Sequence, residues 1–169
     1  MCVQNHPFQE DKISDDETYT RWVYAPRYID ERGEFKQNFV SLREQHRNKE
    51  KGISGQIIDR CDHKTVLLWG LKFRRKDKDG TDKEERFLGY AKALACKIRS
   101  VAVEDGDKID VIFTESDVPF HAEIRFEIDG ELVVGNNQHH RFLRYKDKLR
   151  DILQNDVYRA SAEELAEIK

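Results

Sequence analysis

From His121 to Ile128 polar and apolar positions alternate without a break. His121, Glu123, Arg125 and Glu127 interleave with Ala122, Ile124, Phe126 and Ile128, the period of two of a strand with one buried face. Asp129-Gly130 follows, and a two-residue type I′ turn needs positive φ at both of its central positions, which this pair accepts. Residues 118–134 therefore predict a β-hairpin. A different period governs residues 138–153. Phe142, Tyr145, Leu149, Ile152 and Leu153 share one helical face, while Arg141, Arg144, Lys148 and Asp151 fall mostly on the other. Ser161-Ala162-Glu163-Glu164 reads as the capping box of a last short helix.

The rest of the chain is punctuated by turn signals. Residues 20–28 predict a first strand, closed or made an edge by Pro26. Asp30-Glu31-Arg32-Gly33 is a turn, and Phe35, Phe39, Val40 and Leu42 suit either a short helix or an extended segment. Residues 44–51 are a solvated charge run, and Gly52-Ile53-Ser54-Gly55 breaks the chain. Residues 65–73 predict a strand buried on both faces, 74–85 a long exposed charged loop, and 109–113 a short strand. Residues 87–103 satisfy two patterns. Their Leu, Ala and Lys content favours helix to about Arg99, the reading adopted here, although Leu88, Tyr90, Leu94, Cys96 and Ile98 also fit a long strand. Together these elements predict one α+β domain over residues 19–169, a mainly antiparallel sheet with a C-terminal amphipathic helix packed on it, preceded by a flexible arm over 1–18.

Composition narrows the class. With 38% hydrophobic and 37% charged residues, the chain needs clustered apolar segments to form a core under a charged shell. A net charge of -3 argues against a protein that coats nucleic acid with its whole surface. Cys2, Cys61 and Cys96 are odd in number and widely spaced, which fits a reducing compartment better than a disulfide scaffold. No apolar run approaches the roughly 20 residues that span a bilayer, and residues 1–17 are polar and acidic rather than a secretory leader. The expected setting is the cytoplasm, with no membrane partner.

Candidate chemistry gathers at the hairpin. A two-residue turn places Ile128 opposite Glu131 and Phe126 opposite Val133. Extending that ladder brings Gln138, and with it His139 and His140, toward His121 and Glu123. Three readings follow. Two imidazoles with Arg125 or Arg141 could act as general acid and base on a phosphate ester. His121, Glu123 and His139 or His140 could hold a divalent metal. Or the row is a solvent-facing strand face whose charges pair with one another. The candidate catalytic residues are thus His121, Glu123, Arg125, His139 and His140. Arg21, Trp22, Arg27 and Tyr28, with Arg141, are candidate binding residues for a nucleotide base and phosphate or a ligand pocket, against the reading of a core edge strand. Nothing matches a phosphate loop, a dinucleotide turn, a nucleophile elbow or a C-x-x-C knuckle, so neither a cofactor nor a metal is expected.

Arg21-Trp22-Val23 with Tyr28-Ile29 and Phe35, Gly52-Ile53-Ser54, and Pro119-Phe120-His121-Ala122-Glu123-Ile124 together resemble a loosely defined group of small bacterial proteins. The resemblance spans about residues 20–128 by pattern and implies no activity and no catalytic residues. The charged insert at 74–85 and the C-terminal helix depart from it. The function expected from the whole sequence is an interaction or accessory protein that binds a macromolecular partner, most simply a protein, through its charged surface and loops. The alternative is a small phosphate-ester hydrolase or nuclease-like enzyme working through the cluster at 121–141.

Overall fold

Strand β1 (Thr18–Ala25) is the central spine of the sheet, flanked on both sides and buried along most of its length. The computed structural model describes residues 11–42, 52–73, 85–135 and 139–168. Within them the chain folds as a single α+β domain. Its antiparallel sheet adds β2 (Ile53–Ile57), β3 (Arg86–Leu94), β4 (Lys108–Phe113), β5 (His121–Ile128), β6 (Glu131–Leu132) and β7 (Val157–Arg159). Strand order is β4-β5-β2-β1-β3-β7, with β6 paired to β5. Helix α1 (His63–Lys72) lies against β1 and β3, α2 (Ala95–Arg99) adjoins β4, α3 (His140–Gln154) contacts β3 and β5, and α4 (Ala162–Glu167) follows β7.

The long amphipathic helix forms where its periodicity places it. Phe142, Tyr145, Leu149 and Leu153 are buried, and Phe142 meets Phe126 of β5 edge to face at 5.1 Å. Asp30-Gly33 is the expected turn: Gly33 has φ 84° and donates its N–H to the Asp30 carbonyl. The ambiguous stretch after it holds one 3-10 turn, Gln37–Phe39.

Several expectations are corrected. Residues 65–73 are helical rather than extended. Asp62 caps α1 by accepting from the Thr65 N–H at 2.7 Å, and Gly70 admits the tip of the Phe87 ring where a Cβ would overlap it. A continuous apolar run does not separate a buried helix from a buried strand, and here the cap decides. Residues 86–94 form β3, and only Ala95–Arg99 is helical. The pairing of β3 with β1 from Thr18↔Leu94 to Ala25↔Arg86 outweighs helix propensity. The Gly52-Gly55 segment is not a break but leads into β2, whose Gly55 lies under the Tyr19 ring. Residues 11–17, expected in the arm, are tied down: Ile13 and Glu17 are buried, and Glu17 pairs with Arg60. Cys61 carries a free thiol, but Cys96 is disulfide-bonded, against the expectation of a chain without disulfides. The charge runs at 44–51 and 74–84 lie outside the described residues, as do residues 1–10 of the expected arm.

Candidate functional site

Strand β5 carries the predicted row, and its turn forms as expected. Asp129 and Gly130 both have positive φ, 52° and 80°, and Ile128 pairs with Glu131. The paired strand then stops at Glu127↔Leu132, with one last bond beyond it from the Val133 N–H to the Phe126 carbonyl at 2.8 Å, the expected rung. From Ile124 to His121 the same edge of β5 is taken by β2, through Ile53↔Ile124 and Gln56↔His121. A two-residue β6 is all that this competition leaves, so the hairpin does not carry the chain back toward His121.

The candidate catalytic residues are separated as a result. His139 caps α3, its Nδ1 accepting from the Arg141 N–H at 3.2 Å. Arg141 reaches Asp129 at 2.5 Å and Asp107 at 3.5 Å, which fixes this helix end at the turn end of β5. Seven steps along a strand at roughly 3.3 Å each place His121 about 23 Å away. His139 and His140 stack on one another at 4.7 Å. Burial pushes the Asp107 carboxyl up, and the Tyr145 hydroxyl, the Asp129 N–H and Arg141 more than reverse it, holding it below the usual carboxylate range. The Arg141 end of the molecule is thus an ion-pair network, in which the buried Arg141 Nε faces Asp107 without making a hydrogen bond among the described residues.

At the other end the polar face of β5 is internal. His121 and Glu123 are 6% and 4% exposed, so neither lies on a solvent-facing row. His121 Nδ1 shares a 2.6 Å hydrogen bond with the Thr114 hydroxyl, and burial holds the imidazole below its ordinary pKa, with Glu123 opposing. Arg125 donates to Glu123 at 3.0 Å, so the charges on this strand do pair with each other. Among the described residues, no group of three His, Cys, Asp or Glu side chains could hold a metal ion.

The connection from β4 to β5 is the least ordinary backbone in this region. His121 N–H closes on the Val118 carbonyl at 3.2 Å, with Pro119 and Phe120 between them. A turn with Pro second and positive φ third is of the type II class, and its third position normally goes to Gly or Asn. Phe120 holds it instead, at φ 51°, with 46% of its surface exposed. The loop is pinned on several sides. Ile57 N–H donates to the Phe120 carbonyl at 3.1 Å, Gln56 Nε2 to the Pro119 carbonyl at 3.0 Å, and Val118 N–H to the Ser116 hydroxyl at 3.2 Å. Gln56 is fully buried, and its Oε1 has no hydrogen-bond partner among the described residues. Leaving such an acceptor unmade costs about 1–3 kcal/mol. The fold therefore tolerates both an unmade hydrogen bond and a left-handed Phe to hold this loop. Sequence reasoning passed over Phe120, because Phe is not a residue that announces positive φ and only Pro119 marked the turn.

The candidate binding residues at β1 are structural. Arg21, Trp22 and Tyr28 are all buried. Arg21 donates to the Phe39 and Ser54 carbonyls, and Trp22 Nε1 to the Val66 carbonyl. Arg27 pairs with Glu85 at 2.5 Å and lies over the Tyr24 ring at 4.7 Å. Their polar groups are spent on carbonyls and a carboxylate of the protein itself, which favours core packing over the pocket reading.

A second polar cluster escaped the sequence altogether. His63 shares hydrogen bonds with the Tyr90 hydroxyl at 2.8 Å and Glu164 at 2.6 Å, while Tyr158 donates to the other Glu164 oxygen at 2.7 Å. The His63 and Tyr158 hydrogen bonds hold the Glu164 carboxyl below its usual range, and burial pushes the Tyr90 hydroxyl up to about 12. A cavity of about 370 Å³ lies beside it, bounded by Asp62, Lys64, Leu68 and Glu167 among others. A buried phenol made harder to ionise is a poor nucleophile, and the cluster serves instead to tie α4 to α1 and β3. Residues 63, 90, 158 and 164 share no local spacing that would announce it.

Among the described residues no helix is long and apolar enough to cross a membrane. No family model matches the chain, and neither a curated protein nor a solved structure shows a significant similarity to it.

Proposed function

We propose that this chain is a binding protein that engages a macromolecular partner through the loop between β4 and β5. The observation that carries this reading is Phe120. A bulky residue at positive φ is an outlier, and such strain gathers at functional sites where the surroundings fix it. Here hydrogen bonds pin the loop backbone, and nearly half of the ring surface is exposed rather than filling the core. An exposed aromatic on a fixed loop binds with little ordering cost, the usual character of an interface anchor. The phosphate-ester alternative required His121 to meet His139 or His140, and that constellation is not formed.

Replacing Phe120 by a photoreactive phenylalanine analogue and irradiating in cell extract tests the proposal. The expected result is a discrete adduct, absent when the analogue replaces the equally exposed Val134. Excess wild type and His139→Ala protein should compete it away, and Phe120→Gly protein should not. Adducts of equal yield at both positions, or equal competition by Phe120→Gly, would refute the reading.

A further inference from the structure

Arginine, an aromatic ring and a carboxylate meet repeatedly inside this protein. Arg27 lies 4.7 Å over the Tyr24 ring and pairs with Glu85. Arg60 lies 4.8 Å over the Phe113 ring and pairs with Glu17. In each case the guanidinium uses its flat face on the ring and its N–H fork on the carboxylate, two interactions that one planar cation makes at once.

The 114–120 loop holds two parts of that arrangement and lacks the third. Phe120 offers an exposed ring. Glu115 and Asp117, exposed in the same loop, have no ion pair or hydrogen bond with any described residue. Arg60, the described cation that lies over Phe113 at the base of this loop, is already committed to Glu17 at 2.5 Å and to the Lys12 carbonyl. Asp59, at the same end of the sheet, adds a further exposed acid beside the start of β1.

We infer that the loop recognises an arginine-bearing basic segment of a protein partner, whose guanidinium lies on the Phe120 ring and is held by Glu115 and Asp117. The inference rests on the binding reading above and names the chemistry of the partner. Nucleic acids and anionic membrane surfaces are disfavoured as occupants, because their phosphates would meet unpaired carboxylates. The bonds from Gln56 and Ile57 to the Pro119 and Phe120 carbonyls and from the Val118 N–H to Ser116 hold the loop backbone before the partner arrives, so little loop entropy is lost on binding.

The test pans a phage-displayed random-peptide library on the full chain and measures the enriched peptides, made synthetically, by calorimetry. The expected peptides carry arginine at a fixed position and weaken as salt rises. They should lose about tenfold in affinity to Phe120→Gly, and as much to the Glu115→Gln/Asp117→Asn double variant, the size expected for a lost cation–π contact or charge-assisted pair. Melting curves of both variants establish that they are folded. Peptides that need Phe120 but show neither arginine nor sensitivity to the double variant would overturn this inference and leave the loop-binding reading standing. No enrichment, or peptides that bind Phe120→Gly as well as wild type, would overturn both.

Discussion

Phe120 offers a test of sign rather than of size. Consider Phe120→Ala beside Phe120→Gly. Both lose the ring, which is 46% exposed, so each forfeits roughly half of the 1.5–3 kcal/mol that full burial of such a side chain contributes. That loss, about 1 kcal/mol, is common to the two variants and cancels in their difference. What remains is the backbone. At φ 51° an alanine carries the left-handed cost of about 1–2 kcal/mol, which glycine does not. Glycine in turn loses about 0.5–1 kcal/mol more conformational entropy on folding. The balance leaves Phe120→Gly more stable than Phe120→Ala by about 0.75 kcal/mol at the middle of these ranges. At an ordinary position in an element the order is the reverse by a similar amount, so the prediction is an inversion. Urea denaturation followed by tryptophan fluorescence measures both variants against wild type. For a chain of this length the difference corresponds to roughly 1–4 °C in Tm. An alanine variant as stable as the glycine variant, or more so, would mean that residue 120 does not occupy the left-handed region in solution, and the argument for a strained, pre-set loop would fail with it.

Three further outcomes are expected. Arg99 donates to the Asp110 and Asp15 carboxylates and to the Ile13 and Val111 carbonyls. Arg99→Met should cost about 2–3 kcal/mol in denaturant melts, the scale of a few charge-assisted bonds with shared loss, and a loss under 0.5 kcal/mol would refute its role. Because the folded pKa of His121 is depressed by burial, the unfolded chain takes up a proton that the folded chain refuses once pH falls below about 6.5. Its contribution is complete above that pH and declines below it by at most about 1.4 kcal/mol per pH unit, until the folded imidazole also protonates. His121→Gln should flatten that part of the stability–pH profile, and an unchanged profile would show that His121 is not held neutral. Glu164→Gln weakens the tie between His63, Tyr158 and α4, so hydrogen exchange should quicken in β7 and α4 and stay unchanged in β1. Unchanged protection of α4 would show that its partly buried Leu165 and Ile168 suffice.

What the sequence made legible was local. The Asp129-Gly130 turn, the first rungs beyond it, the long amphipathic helix and the Ser161 cap each follow from residues within a few positions of one another, and each forms. The errors sit where a distant segment decides. The apolar run at 65–73 has no period that separates helix from strand, and Asp62 with its hydrogen bond to Thr65 settled the matter as a cap, not as the turn it resembles. Residues 86–94 have the composition of a helix, but β1 offers them a matching edge and they pair. The candidate site failed for the same reason. Extending β6 toward His121 assumed that this edge of β5 was free, yet β2, nearly seventy positions earlier in the chain, occupies it from Ile124 onward. A one-sided alternation also misled about exposure. His121 and Glu123 look like the wet face of an edge strand, but β5 is flanked by β2 and β4 and is covered on both faces over its first half.

The edges of the sheet bear on how a partner can be engaged. β4 is the outer strand beside β5 and would be the natural template for an added strand. Thr114 N–H bonds to the His121 carbonyl, so by the alternation of an antiparallel ladder the backbone groups of Val111 point outward. Both are already answered: the N–H by the Asp110 carboxylate at 2.9 Å and the carbonyl by Arg99 at 3.2 Å. A charged pair laid across an edge is a recognised barrier to edge-to-edge association. At the other end β7 spans only Val157–Arg159, and β6 only Glu131–Leu132, too short to template a stable ladder. Strand addition on β4 would therefore meet an edge already engaged at its middle, at Val111. A partner that approached β4 would have to displace Arg99 from Asp110 and Asp15 together, whereas one that approached the 114–120 loop meets a fixed aromatic and unpaired carboxylates. Arg99→Met separates these routes as well as testing stability: it opens the outer edge of β4 and leaves the loop intact. If the loop is the recognition element, binding of an arginine-bearing peptide should survive that substitution and weaken about tenfold in Phe120→Gly.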